Sequence, residues 1–163
     1  MELYLIRHGI ATERDDELKD EERTLTTKGR QKTQKVAKRL RQLELRFALI
    51  LTSPLMRSRQ TAEILRANGL SSQIEESASL APDGSIETWL SWLNQWQSSS
   101  GSSALALVGH QPNLGQWAEM LIWGQVRNSI VLKKAGVVGL MLPENDSPLG
   151  QSQLFWLTPP KLI

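Results

Sequence analysis

Three short runs of apolar residues, 3–6, 48–52 and 104–108, are each bounded by polar or turn-forming positions. Their hydrophobicity is continuous rather than alternating, which predicts strands buried on both faces. Helical spacing fills the gaps. Thr26 or Thr27 can cap a helix that carries Val36, Ala37 and Leu40, with Leu43 or Glu44 following. Ser53 and Pro54 have the pattern of an N-cap followed by proline in the first turn, opening a helix through Ile64 and Leu65 that stops at Asn68-Gly69. Residues 85–97 place Ile86, Trp89, Leu90, Leu93 and Trp96 at helical spacing, and residues 98–103 form a polar loop. The tryptophans of that stripe are expected in the core rather than on a ligand platform. Pro112 can open a further helix through Trp117, Met120 and Leu121. Beyond it, residues 130–132, 137–142 and 153–157 suggest strands, with a turn-rich stretch at 143–146.

Strands that alternate with helices imply an α/β fold: a three-layer α/β/α sandwich around a mainly parallel sheet, with an antiparallel edge near the C-terminus. No repeat or long linker divides the chain, so residues 1–163 are expected to form one domain. With 40% hydrophobic and 22% charged residues, the composition is that of a globular protein rather than a disordered or fibrous one. No apolar run approaches the roughly 18 residues of a membrane span, and no secretory leader pattern is evident, so a cytoplasmic location away from membranes is expected.

The absence of cysteine excludes disulfides, thiolate catalysis and sulfur-rich zinc sites. With His8 and His110 the only histidines, neither a metal nor another cofactor is expected. Net charge is only +2, but its distribution is uneven. Residues 13–22 carry seven carboxylates, whereas residues 28–46 carry eight lysines and arginines against Glu44. Because the basic residues fall on the outer face of the expected helix and lack interleaved aromatics, nucleic acid is not the expected partner. Docking of an acidic protein remains compatible with that face.

In sheets of this kind ligands collect at the carboxyl ends of the strands. There the sequence puts Arg7, His8 and Gly9 after the first run, Ser53, Pro54 and then Arg57 after the second, and Gly109 and His110 after the third. Both histidines therefore occupy equivalent positions, at the carboxyl ends of separate strands, and two arginines, Arg7 and Arg57, accompany them at the strand ends. Guanidinium forks and a helix N-terminus suit phosphate oxygens. A neutral imidazole can attack phosphorus, and nearby positive charge keeps it unprotonated. Adjacent residues of a regular strand face opposite ways, so Arg7 and His8 can share a site only where the strand ends. Gly9 would permit that turn and a close backbone approach to an anion.

Arg7-His8-Gly9, Ser53-Pro54 with Arg57 and Gln60-Thr61-Ala62, and Val108-Gly109-His110 together resemble the histidine phosphatase superfamily, the phosphoglycerate mutase-like fold family. The short length, the stretch Arg23-Thr24-Leu25-Thr26-Thr27-Lys28-Gly29 and the stretch Gly109-His110-Gln111-Pro112-Asn113 are similar to bacterial phosphohistidine phosphatases of the SixA type. The resemblance implies that His8 is a transiently phosphorylated nucleophile. Arg7, Arg57 and His110 would complete the catalytic pocket, and Arg23 would be a further phosphate ligand. The partner would be a phosphohistidine-bearing signalling or phosphotransfer protein.

Many members of that superfamily carry a carboxylic acid that protonates the leaving group. Asp83 and Glu87 lie in the corresponding region, but Asp83 also suits an ordinary turn and Glu87 an ordinary first-turn helix charge. A pocket without such an acid favours a phosphoramidate over a sugar phosphate, because imidazole leaves more readily than an alkoxide. The absence of a long insertion between core elements implies an open pocket that a phosphoprotein could reach. The alternatives are a small-molecule phosphomonoesterase or mutase, and a non-enzymatic module that binds phosphate or nucleic acid.

Overall fold

The computed structural model describes the chain except for residues 15, 16, 18, 101–103, 145 and 146, together with the side chains of 98–100. Its strands are β1 (Glu2–Arg7), β2 (Leu49–Thr52), β3 (Ile74–Glu76), β4 (Ala104–Gly109), β5 (Val137–Met141) and β6 (Gln153–Thr158). Its α-helices are α1 (Thr27–Gln42), α2 (Met56–Ala67), α3 (Ile86–Ser100) and α4 (Asn113–Trp123). The strands form one sheet in the order β3-β2-β4-β1-β5-β6. β3, β2, β4 and β1 run parallel, whereas β5 pairs antiparallel with β1 and β6 antiparallel with β5. The expected mixed sheet is present, with the antiparallel edge at its C-terminal side.

Strand alternation sorts the core into two layers. Leu3 and Leu5 of β1 join Leu49, Leu51, Leu105 and Leu107 beneath Trp89 and Leu93 of α3 and Trp117 and Leu121 of α4. Tyr4 and Ile6 point the other way with Ile50, Ala106 and Val108, against Val36 and Leu40 of α1 and Ala62 and Leu65 of α2. Two buried faces explain why these strands read as unbroken apolar runs. Trp89 is fully buried, and Trp92 stacks on Trp96 at 5.7 Å on the half-buried part of the same helix, so the stripe is packing surface.

Several boundaries differ from the sequence expectation. Thr26 caps α1, its hydroxyl accepting from Gly29 N at 2.9 Å, and the helix ends at Gln42, leaving Leu43 exposed. α2 starts at Met56 instead of Pro54, with Leu55, which has no capping group, at its N-cap; the Ser53 hydroxyl accepts from Leu55 N at 3.3 Å and lies 2.8 Å from His110 Nε2. α3 continues through Ser100 in place of the expected loop, whose residues 101–103 lie outside the described residues, as do 145 and 146 of the expected turn. β3 was not expected: mostly exposed, it acquires strand geometry by pairing with β2 rather than from an apolar run. Residues 130–132 are not a strand, because side chains satisfy their backbone instead of a ladder. Glu119 accepts from Ile130 N, Gln111 donates to Ile130 O, and Arg7 donates to Leu132 O. Among the described residues no helix is long and apolar enough to cross a membrane.

Candidate active site

β1 and β4 are in register to their ends, where Arg7 lies opposite Gly109 and His8 N donates to Gly109 O at 3.0 Å. The ladder therefore delivers His8 and His110 side by side, with ring centroids 5.1 Å apart. The strand stops at Arg7, and both Arg7 and His8 line one cavity of about 240 Å³. Arg57, from the first turn of α2, joins them, as do His110, Arg23, Asp20, Arg14, Pro82, Gln111 and Lys134. Arg7, His8, Arg23, Arg57 and His110, five residues singled out from sequence, are thus brought together. Asp83 and Glu87 are not among the residues lining the cavity. Glu87 is exposed at the start of α3 and accepts from the Ser85 hydroxyl at 2.6 Å, while Asp83 is exposed in the preceding turn.

His8 is 6% exposed, and its Nδ1 lies 2.7 Å from the carbonyl oxygen of Gly9. A carbonyl can only accept, so Nδ1 carries the proton and Nε2 keeps its lone pair. Burial, then the neighbouring His110, Arg57 and Arg7, push the His8 pKa down to about 3 against the opposing pull of the Gly9 carbonyl. The ring is neutral near pH 7. Burial likewise lowers His110 to about 4, with Arg57 and Arg7 contributing and Asp20 opposing. His110 Nε2 faces the hydroxyls of Ser53 at 2.8 Å and Ser58 at 3.3 Å, and its buried Nδ1 has no partner among the described residues.

The place of Gly9 differs from the expectation of direct anion contact. Its N–H donates to Thr61 Oγ1 at 3.0 Å, and Gly9 does not line the cavity. A Cβ there would lie 2.4 Å from Thr33 Oγ1, so close packing against α1 demands the glycine. Its contribution to the site is the carbonyl that sets the His8 tautomer.

The arginines are held from behind. Arg7 Nη1 donates to Leu132 O at 2.7 Å, and its buried Nε has no partner among the described residues. Arg57 donates from Nη1 to Asp20 O at 2.7 Å and from Nη2 to Asp20 Oδ2 at 3.0 Å. Arg23 donates from Nη1 to Asp20 Oδ1 at 2.7 Å and from Nε to Thr12 O at 2.8 Å. Burial would raise the Asp20 pKa, but hydrogen bonds from Arg23 and Arg57 prevail and hold it at about 2. Asp20 is therefore ionised at neutral pH.

Asp20, Ser58, Glu119 and Lys134 were not anticipated, and Gln111 entered only as part of the Gly109-His110-Gln111-Pro112-Asn113 stretch. Asp20 was one carboxylate of an acidic run with nothing to distinguish it, and Lys134 followed a stretch whose backbone was misassigned. Thr61, one turn beyond Arg57 on α2, stands at helical spacing from it and within the Gln60-Thr61-Ala62 stretch, whereas Ser58, adjacent to Arg57, carries no such signal.

The family model for the histidine phosphatase superfamily (branch 1) matches residues 3–81. An uncharacterized protein of Picosynechococcus sp. (strain PCC 7002) is 49% identical over 164 residues, covering 100% of this chain and 99% of that one. The fold is similar to that of the protein histidine phosphatase SixA complexed with tungstate, with a TM-score of 0.86 and 23% identity over 99% of both chains. It is also similar to a mycobacterial glucosyl-3-phosphoglycerate phosphatase, with a TM-score of 0.73 and 15% identity over 97% of this chain and 98% of that one. The segment from β1 through the turn at Ala81 carries the family's sequence pattern, and the fold continues around it: the chain belongs to the histidine phosphatase superfamily.

Proposed function

We propose that this protein is a phosphatase that hydrolyses phosphohistidine on a protein substrate through a phosphohistidine intermediate on His8. Family membership and fold support phosphatase chemistry. The observation that carries the reading is the Gly9 carbonyl on His8 Nδ1, which leaves an Nε2 lone pair beside a cavity walled by Arg7, Arg23 and Arg57.

In the first step His8 Nε2 attacks phosphorus and the bond from phosphorus to the substrate imidazole breaks. Protonation of that imidazole on its distal nitrogen lets it depart as a neutral ring. Arg7, Arg23 and Arg57 grip the phosphoryl oxygens, and His110 Nδ1–H, made available when the Ser53 hydroxyl donates to Nε2, stabilises the developing charge. In the second step water attacks phosphorus, the His8–phosphorus bond breaks, and phosphate leaves with His8 neutral again.

Asp20 is the carboxylate among the described lining residues, and two guanidiniums hold it ionised, which suits it poorly to protonating an alkoxide. The small cavity also fits a phosphoryl group better than a whole enclosed metabolite. The fold shared with a glucosyl-3-phosphoglycerate phosphatase favours the second reading, a small phosphomonoesterase. Turnover of a phosphohistidine protein, phosphoramidate and a panel of sugar phosphates separates the two. The phosphohistidine protein should show the highest kcat/KM, and faster turnover of any sugar phosphate would reject the preferred substrate.

A further inference from the structure

Asp20 lines the cavity yet takes no part in the chemistry above. It begins a 3-10 turn, Asp20–Glu22, that packs beside α2. Its two carboxylate oxygens are divided between two arginines from different elements: Oδ1 accepts from Arg23 at 2.7 Å and Oδ2 from Arg57 at 3.0 Å. Its backbone carbonyl takes a second donor of Arg57, and Arg14 Nε lies 3.5 Å from Oδ1. Each of the two guanidiniums offers five N–H groups, and the bonds to Asp20 and Thr12 engage two of each, leaving the rest for an anion. Without the carboxylate, two like charges facing one cavity would repel and lose their common orientation.

We propose that Asp20 is a positioning residue that yokes Arg23 to Arg57, fixing both forks for the phosphoryl group at the expense of ground-state oxyanion affinity. The proposal rests on the phosphatase reading of the cavity. Its consequence is a pair of effects with opposite signs. The carboxylate repels a bound oxyanion, so removing its charge should tighten oxyanion binding. The same change frees the two guanidiniums from a fixed orientation, so the transition state should lose stabilisation. A residue that merely supported the fold would weaken both together.

Asp20→Asn keeps the size of the side chain and an acceptor oxygen but removes the charge. Tungstate affinity is measured by calorimetry, and turnover is measured on a phosphohistidine protein and on phosphoramidate. The expected result is roughly three- to tenfold tighter tungstate binding together with a kcat lower by about tenfold or more. Asp20→Glu, with its charge restored, should bring tungstate affinity back toward that of the native protein. Weaker tungstate binding, or tighter binding with unchanged kcat, overturns the proposal. If the native protein turns over neither phosphodonor, the phosphatase reading fails by itself, and tungstate affinity alone then decides: no tightening in Asp20→Asn rejects the yoke.

Discussion

Replacing His8 with asparagine should remove about half of the acid sensitivity that the two buried histidines impose on the fold. An unfolded histidine titrates near 6.5, whereas burial and neighbouring cations bring His8 to about 3 and His110 to about 4. Between those values the unfolded chain binds protons that the folded chain refuses, so stability falls as pH falls. The contribution is complete above pH 6.5 and disappears as pH drops through the folded values. From pH 7 to pH 5 the unfolded-state proton uptake amounts to about 2 kcal/mol for each histidine, or about 4 kcal/mol for the pair. Asp20 and Glu119 add little in this window, because their unfolded counterparts are ionised over most of it. Guanidinium denaturation followed by tryptophan fluorescence at the two pH values, at constant ionic strength, measures the loss. His8→Asn should lose about 2 kcal/mol less than the native protein over the same interval. Equal losses would show that His8 titrates normally in the folded state and that its neutrality is not imposed by the site.

Three further outcomes follow from the geometry. Arg57→Lys keeps a charge but loses the planar fork that spans Asp20 and the cavity, so kcat should fall by about 100-fold, as seen in steady-state turnover of phosphoramidate; near-native turnover would remove Arg57 from the clamp. Glu119 is fully buried and accepts from the backbone N–H groups of Arg127, Asn128, Ser129 and Ile130, so Glu119→Ala should destabilise the fold by about 3–5 kcal/mol in equilibrium denaturation. Lys32, Lys35 and Arg39 are exposed on α1. Reversing their charges should raise KM for a phosphoprotein at low salt and leave phosphoramidate turnover unchanged, whereas an unchanged KM would argue against docking there.

The elements most legible in the sequence were those whose burial is two-sided. Leu3 to Ile6 and Leu105 to Val108 face helices on both sides of the sheet, so each position had to be apolar. The rule that ligands gather at strand ends then led from those runs to Arg7, His8 and His110 without knowledge of any contact. β3 was hidden because its residues are largely exposed and its geometry depends on pairing with β2. Residues 130–132 misled for the opposite reason: Ile130 and Leu132 are buried as a strand's would be, but Glu119, Gln111 and Arg7 satisfy the backbone. Asp20 could not be chosen among its acidic neighbours, because its distinction lies in meeting Arg57, which comes from another element. Ser53 was noticed for the wrong reason, since a serine beside a proline suggests a cap whatever its hydroxyl does.

The proposed mechanism turns on transfer of the phosphoryl group to His8. Mixing the protein with a radiolabelled phosphohistidine protein, quenching within milliseconds and mapping the acid-labile label by peptide mass spectrometry tests it directly. A transient label is expected on His8, decaying with release of phosphate and absent in His8→Ala. A label on another residue, or phosphate release by His8→Ala at the native rate, would contradict it.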